Sequence, residues 1–285
     1  MKTLPLLICS LLAAQFSYAQ NLNSQSKQSA DSIIINAYRI DQIKREAMMK
    51  VINKSDYPKD SLVLKIMDLK KQDAQNQNLV FPLIDQYTIG SIELSPLALN
   101  GAYYIIQHAE IEQQEKYQSF VEKLFEKKVI NTVEYARFVD RVRVKRNKAQ
   151  YYLTQAYQNA GTAGTFPYPL TADAAELVNK IELKQTFQKE MASFKNEYTP
   201  IFLKEDEFAI FGHVLNSVDK EKINDLEIKL NGKTMTRTNN EGFFAFKIKR
   251  TEAVSELELL LEGKSIKQRI AILPQNDWLS VNIRI

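Results

Sequence analysis

His108 and His213 are the only histidines in the chain, and Cys9 is the only cysteine. General acid–base work needs one tunable imidazole with a carboxylate within hydrogen-bond reach. His108 supplies the imidazole, Asp140 or Asp73 a carboxylate to orient it, and Arg45 or Arg141 a cation for an anionic group. Asp41 and Arg45 stand one helical turn apart, a spacing that on a surface helix gives an ion pair worth about 0.3–0.5 kcal/mol. A lone histidine beside apolar neighbours is more often a satisfied core residue than a catalyst, so His108 has a structural reading beside the chemical one. His213 lies in a strand-like stretch with no ligand partner near it in sequence. Two histidines all but exclude a zinc site built on imidazoles, leave only a carboxylate site for calcium or magnesium, and imply no metal or cofactor. There is no Gly-x-Ser-x-Gly elbow and no phosphate-cradling glycine loop.

The elements that must position these groups begin after a leader. Residues 1–19 carry Lys2, an apolar run from Leu4 to Ala14 and a small-x-small site at Ser17-Tyr18-Ala19, the pattern of a cleaved secretory signal. The run is far short of the ~20 residues a membrane span needs. Cys9 leaves with the leader, so the mature chain has no thiol for catalysis, disulfides or metal. Export places the protein in the periplasm or outside the cell. Net charge of +4 points to no polyanion partner, and nucleic acid is excluded by compartment. A polar lead-in, residues 20–30, precedes a helical domain over 31–200. Its first helix follows Asp31-Ser32; a second runs from Asp60 to Leu69; a third opens at Asp73 and carries Leu79, Val80 and Ile84, with Pro82 weighing against continuity. Pro96 opens a helix bearing Gly101, Tyr104 and His108, and two more follow, the latter capped by Asn131-x-x-Glu134. Alternation of Arg141, Arg143 and Lys145 with Val142 and Val144, then Asn147 and a Tyr-Tyr-Leu-Thr run, predicts a β-hairpin with one basic face. One face of it is expected to pack on the helix bearing His108, carrying Asp140 or Arg141 toward it. Residues 159–169 read as a loop, and Leu170 to Tyr198 returns to helical spacing.

These segments resemble the family called domain of unknown function 6624 over about residues 38–185. The resemblance rests on Asp41-Gln42-x-x-Arg45, Asp73-x-x-Asn76, Gln107-His108-Ala109, and the run from Asp140-Arg141 to Gln150, Tyr152, Thr154 and Gln155. It implies a shared site, with Asp41, Gln42, Arg45, Asp73, Asn76, Gln107, Arg141, Gln150, Tyr152, Thr154 and Gln155 as ligand-binding candidates and His108 and Asp140 as catalytic ones. It implies no activity. The chain departs from the pattern at Gln86-Tyr87-Thr88, where the family has Gly-Trp-Pro, and at Leu153, where it has glycine.

From Glu207 the hydrophobic period shifts to two, predicting strands over 209–214, 226–230, 243–248, 257–261 and 279–285, with Asn231-Gly232 as a hairpin turn. This is a small sandwich, residues 206–285, with a boundary between Tyr198 and Glu207 that would let the tail fold alone. Gly212-x-Val214 and Thr238-Asn239-Asn240-Glu241-Gly242-Phe243-Phe244 resemble a carboxypeptidase regulatory-like (transthyretin-like) domain, which implies a non-catalytic binding or spacing module.

The fold class is therefore α+β in two domains: a mainly helical domain with a β-hairpin, then an all-β sandwich. The balance of features favours an exported, non-catalytic binding or structural protein with a polar groove in the helical domain. Its partner would be a small ligand or an envelope or extracellular protein. The alternatives are a hydrolase- or lyase-type enzyme using His108 with a carboxylate and an arginine, and anionic-polymer binding through Arg137, Arg141, Arg143, Lys145, Arg146 and Lys148.

Overall fold

The computed structural model describes residues 30–51, 59–157, 166–194, 200–218, 221–250, 254–261 and 264–285, so the expected leader, the lead-in and Pro58 lie outside the described residues. The protein is mixed α+β, helical in its first part and β toward its C-terminus. It divides into two compact units, Met1–Asn131 and Thr132–Ile285.

The first unit holds α1 (residues 30–51), α2 (Lys59–Thr88), α3 (Pro96–Gln107), α4 (Ile111–Lys116) and α5 (Gln118–Glu126). Ala30, Ile34, Ala37 and Asp41 recur at helical spacing on α1 and are all buried, so the stripe that α1 turns inward ends on a carboxylate. Ser95 caps α3 by accepting the Ala98 amide at 3.3 Å, and Pro96 occupies the first turn, where its missing N–H costs nothing. Gly101 lets α3 approach α1: a Cβ there would stand 3.1 Å from the Tyr38 Cβ. The two helices expected over 60–84 are instead one, α2, with Pro82 inside it. Lys70, Lys71 and Gln72 at the expected break are good helix formers, and the buried Val80 and Ile84 hold the chain on both sides of the proline.

The second unit opens with α6 (Thr132–Lys145), directly after Asn131 as the capping pattern requires. The predicted hairpin is not formed, because Arg141 to Lys145 are the C-terminal end of this helix. Asn147 does take a left-handed φ of 54°, but as a helix terminator: Lys148 N donates to Arg143 O at 2.8 Å and Asn147 N to Val144 O at 2.9 Å. That is a Schellman ending. The return strand is likewise absent, and residues 148–155 form an irregular loop, so Gln150, Tyr152 and Thr154 share no strand face. Two short pairings follow, β1 (Ala156–Tyr157) antiparallel to β2 (Phe166–Pro167), and β3 (Leu170–Thr171) parallel to β4 (Phe202–Leu203). The helical stretch expected from Leu170 resolves into α7 (Ala174–Lys180) and α8 (Lys184–Ser193), broken by Glu182 at φ 57°.

The sandwich packs two sheets. In one, β5 (Glu207–Leu215) pairs antiparallel with β8 (Phe243–Lys249) and parallel with β11 (Trp278–Ser280) and β12 (Ile283–Arg284). In the other, β6 (Glu227–Leu230), β7 (Lys233–Arg237), β9 (Val254–Leu261) and β10 (Lys264–Ala271) lie in the order β10-β9-β6-β7. Phe208, Ile210 and Val214 point from β5 into the core between the sheets with Ile228 and Phe244. Ala209 and Phe211, on the other face of β5, join Ala149, Phe166, Phe243 and Trp278 in a second core. Around residue 200, where the sequence predicts a boundary, that core and the β3–β4 pairing bind the sandwich to the segment before it. The last strand is interrupted because Val281 crosses β5 at Gly212, where a Cβ would sit 1.7 Å from the Val281 carbonyl oxygen.

Candidate functional site

In the first unit, three helices bring Asp41, Arg45, Asp73 and His108 together. Asp41, wholly buried at the end of the α1 stripe, accepts from His108 Nδ1 at 3.0 Å, Arg45 Nε at 3.0 Å and Gln42 Nε2 at 2.8 Å. Arg45 spans to α2, donating Nη2 to Asp73 at 2.6 Å. His108 is the C-cap of α3, with its backbone N–H on Tyr104 O at 3.2 Å, so the end of that helix fixes the ring's origin. Tyr104, one turn earlier, stacks on Tyr38 at 5.1 Å, and Tyr38 stands one turn before Asp41. An ionised carboxylate only accepts, so His108 Nδ1 carries the proton facing Asp41. Nε2 has no hydrogen-bond partner among the described residues, and the side chain is 16% exposed. The imidazole is thus held at Nδ1, with Nε2 left unpartnered among the described residues.

Electrostatics separate the two carboxylates. Burial works to raise the Asp41 carboxyl, but the bond to His108, that ring's charge and Arg45 outweigh it and hold it below its usual value. Burial pushes the Asp73 carboxyl up, and the Asp41 charge adds to it, against the pull of Arg45. Asp41 is therefore the fixed anion of the group.

Asn76 lies one turn along α2 from Asp73; its Oδ1 accepts from Gln72 Nε2 at 3.0 Å, while its buried Nδ2 has no partner. Gln107 is buried and offers its carbonyl oxygen to Gln114 Nε2 at 2.8 Å.

The second unit holds the other candidates, and they do structural work. Asp140 is wholly buried, and accepts from the backbone N–H groups of Tyr151 (2.7 Å), Tyr152 (3.1 Å) and Thr154 (2.9 Å) and from the Thr154 hydroxyl (2.9 Å). Burial raises its carboxyl, while all four donors favour the ionised form. It organises this loop, and the carboxylate hydrogen-bonded to His108 is Asp41. Gln150 closes the same loop, donating to Gln155 O and Tyr168 O and accepting from Gln155 N. Tyr152 is buried, and burial pushes its phenol up to about 12. Arg141 lies in α6, one residue before its last turn. Of the basic run, Arg143 stacks on the Tyr151 ring at 3.7 Å and donates to Ala149 O, and Lys148 pairs with Asp277 at 3.3 Å. Both line a cleft of about 680 Å³ whose charged lining is mixed, with Lys204 and Arg250 beside Asp173, Glu205 and Asp277.

Among the described residues no group of three or more His, Cys, Asp and Glu could hold a metal ion, and no helix is long and apolar enough to cross a membrane. No protein-family model and no curated protein matches the chain. Among solved structures, that of (S)-allantoin synthase is similar over 74% of this chain and 87% of that one, at 13% identity and a TM-score of 0.23. An overlap that loose defines no common fold.

Proposed function

We propose that the protein is an exported enzyme of hydrolase or lyase type, with an acid–base site in its helical unit and a sandwich that takes no part in the chemistry. The observation that carries this reading is the 3.0 Å contact of His108 Nδ1 with the buried Asp41 carboxylate, which leaves Nε2 as the ring nitrogen without a partner among the described residues. A carboxylate behind an imidazole fixes its tautomer and orientation and stabilises the imidazolium formed when Nε2 takes a proton. Nε2 is then the base, and the acid on the return step. Arg45 stands beside the pair, and its bonds to Asp41 and Asp73 keep two carboxylates from repelling each other.

Those same bonds favour a second reading. Arg45 is neutralised on both sides, as in a network built to hold a fold or a bound ligand, and this supports the non-catalytic binding protein expected from the sequence. The export signal and the regulatory-like character of the sandwich agree with either reading.

The test is a panel of ester, amide, phosphoester, glycoside and lyase substrates offered to the full chain and to His108→Gln. Acid–base work by one side chain is worth about 10²–10⁴-fold. Turnover that falls by that factor in the variant, with melting unchanged, supports the enzyme. Turnover unaffected by the substitution, or ligand-induced stabilisation without turnover, favours the binding protein.

A further inference from the structure

The seam between α1 and α2 opens outward as a groove of about 440 Å³, within the range of ligand sites. Its walls are unusual in composition. Asn36, Gln72, Gln75, Asn76 and Asn78 contribute five carboxamides, and no charged side chain lines it. Between them stand Ile33 and Leu79, large apolar residues that are 37% and 56% exposed. At the base, Asn76 is only 1% exposed, yet its Nδ2 has no hydrogen-bond partner. A buried amide donor left unpaired is costly, and natural sites rarely tolerate one without use for it.

We infer that this groove binds a neutral, amide-bearing ligand, an extended peptide segment without charged side chains. A carboxamide side chain carries the same donor and acceptor as a backbone peptide unit, so each can pair with a passing peptide group through N–H···O and C=O···H–N bonds. Asn76 Nδ2 is a donor that a peptide carbonyl would satisfy, while its Oδ1 is held by Gln72 Nε2 at 3.0 Å. Ile33 and Leu79 offer apolar contact to small side chains that alternate along an extended chain. The absence of charge in the lining selects against charged peptides, whose groups would lose water and gain no partner.

The groove also lies beside the acid–base site. Ala37 is one turn from Asp41 on α1, and Asn76 is one turn from Asp73 on α2. If the enzyme reading holds, the groove delivers a neutral amide to His108; binding by the groove does not depend on that reading.

The experiment titrates acetyl- and amide-capped tripeptides of Ala, Val and Ser into the full chain, observed through backbone and side-chain amide resonances. The expected result is saturable movement of the Asn76 side-chain amide pair, with Asn76→Leu weakening binding about tenfold, the worth of one well-made hydrogen bond. Leu79→Ser, at an exposed rim position that does not touch folding, should weaken it as well. His108→Gln should leave the affinity unchanged, which separates failure of the groove from failure of the acid–base site. No saturable movement, equal binding of uncapped charged tripeptides or of neutral sugars, or affinity unchanged in both groove variants would overturn the proposal.

Discussion

Asp41 and Asp140 are both wholly buried carboxylates, and their partners give them opposite uses. Asp140 spends its oxygens on three backbone amides and a hydroxyl of its own loop, so nothing it holds can change its protonation during a reaction. Asp41 spends its oxygens on an imidazole and a guanidinium, the pairing that handles a proton. His213 is the third buried titratable group of note. It is enclosed by the rings of Tyr157, Phe166 and Phe243, neither ring nitrogen has a partner, and burial depresses it from 6.5 to about 4, with Glu241 and Lys222 as the nearby charges. The unfolded chain therefore takes up a proton at higher pH than the folded one does. The contribution of His213 to stability is full above pH 6.5, should fall as pH drops toward about 4 and should level below that. The loss across that window is about 2–3 kcal/mol. His213→Phe should flatten it, as followed by urea unfolding at several pH values; an unchanged slope would locate the acid sensitivity elsewhere. Asp41, held below its usual value, stabilises the fold at neutral pH, and that contribution is lost only at lower pH, as the carboxylate protonates.

At the scale of elements, the loop after α6 shows strain kept in place by packing. Leu153 has φ 61°, a left-handed conformation that costs a leucine about 1–2 kcal/mol, yet it is 3% exposed in a core with Ala136 and Leu170. Removing a buried leucine side chain costs about 2–5 kcal/mol. Burial wins, so Leu153→Gly should lower stability by about 1–3 kcal/mol in thermal or chemical unfolding. A gain would mean that backbone strain dominates. This loop also marks where sequence reading ran out. The helix start at Asn131 and the αL residue Asn147 were legible because caps and terminators are local chemistry. The Arg–Val alternation misled because residues 141–144 are all half-buried, so no face exists for a period to report. In the first unit, α3 was legible from Pro96, and Asp41 and Arg45 from their spacing. The partner of His108 was not legible. Asp41 lies 67 residues away, and only the packing of α3 on α1 through Gly101 brings it within reach.

At the scale of the molecule, β5 is buried on both faces, and this ties the sandwich to what precedes it. Asp277 accepts the Ala149 amide at 2.9 Å, Trp278 Nε1 donates to Lys148 O at 3.1 Å, and Phe211, Phe243 and Trp278 share a core with Ala149 and Phe166. Residues 203–285 expressed alone would expose those three aromatics, each worth about 1.5–3 kcal/mol of burial. Residues 132–285 should melt cooperatively by circular dichroism, and 203–285 should not; cooperative melting of the shorter piece at the same temperature would show that the sandwich needs no support. The central claim is narrower, that His108 is a proton-handling ring held by Asp41, and nitrogen-15 NMR of labelled histidine tests it most directly. With only two histidines, His213→Phe assigns the spectrum. Near neutral pH the neutral form of His108 should carry its proton on Nδ1 with Nε2 bare, and Asp41→Asn should abolish this preference. A proton on Nε2, or a tautomer unmoved by Asp41→Asn, would contradict it.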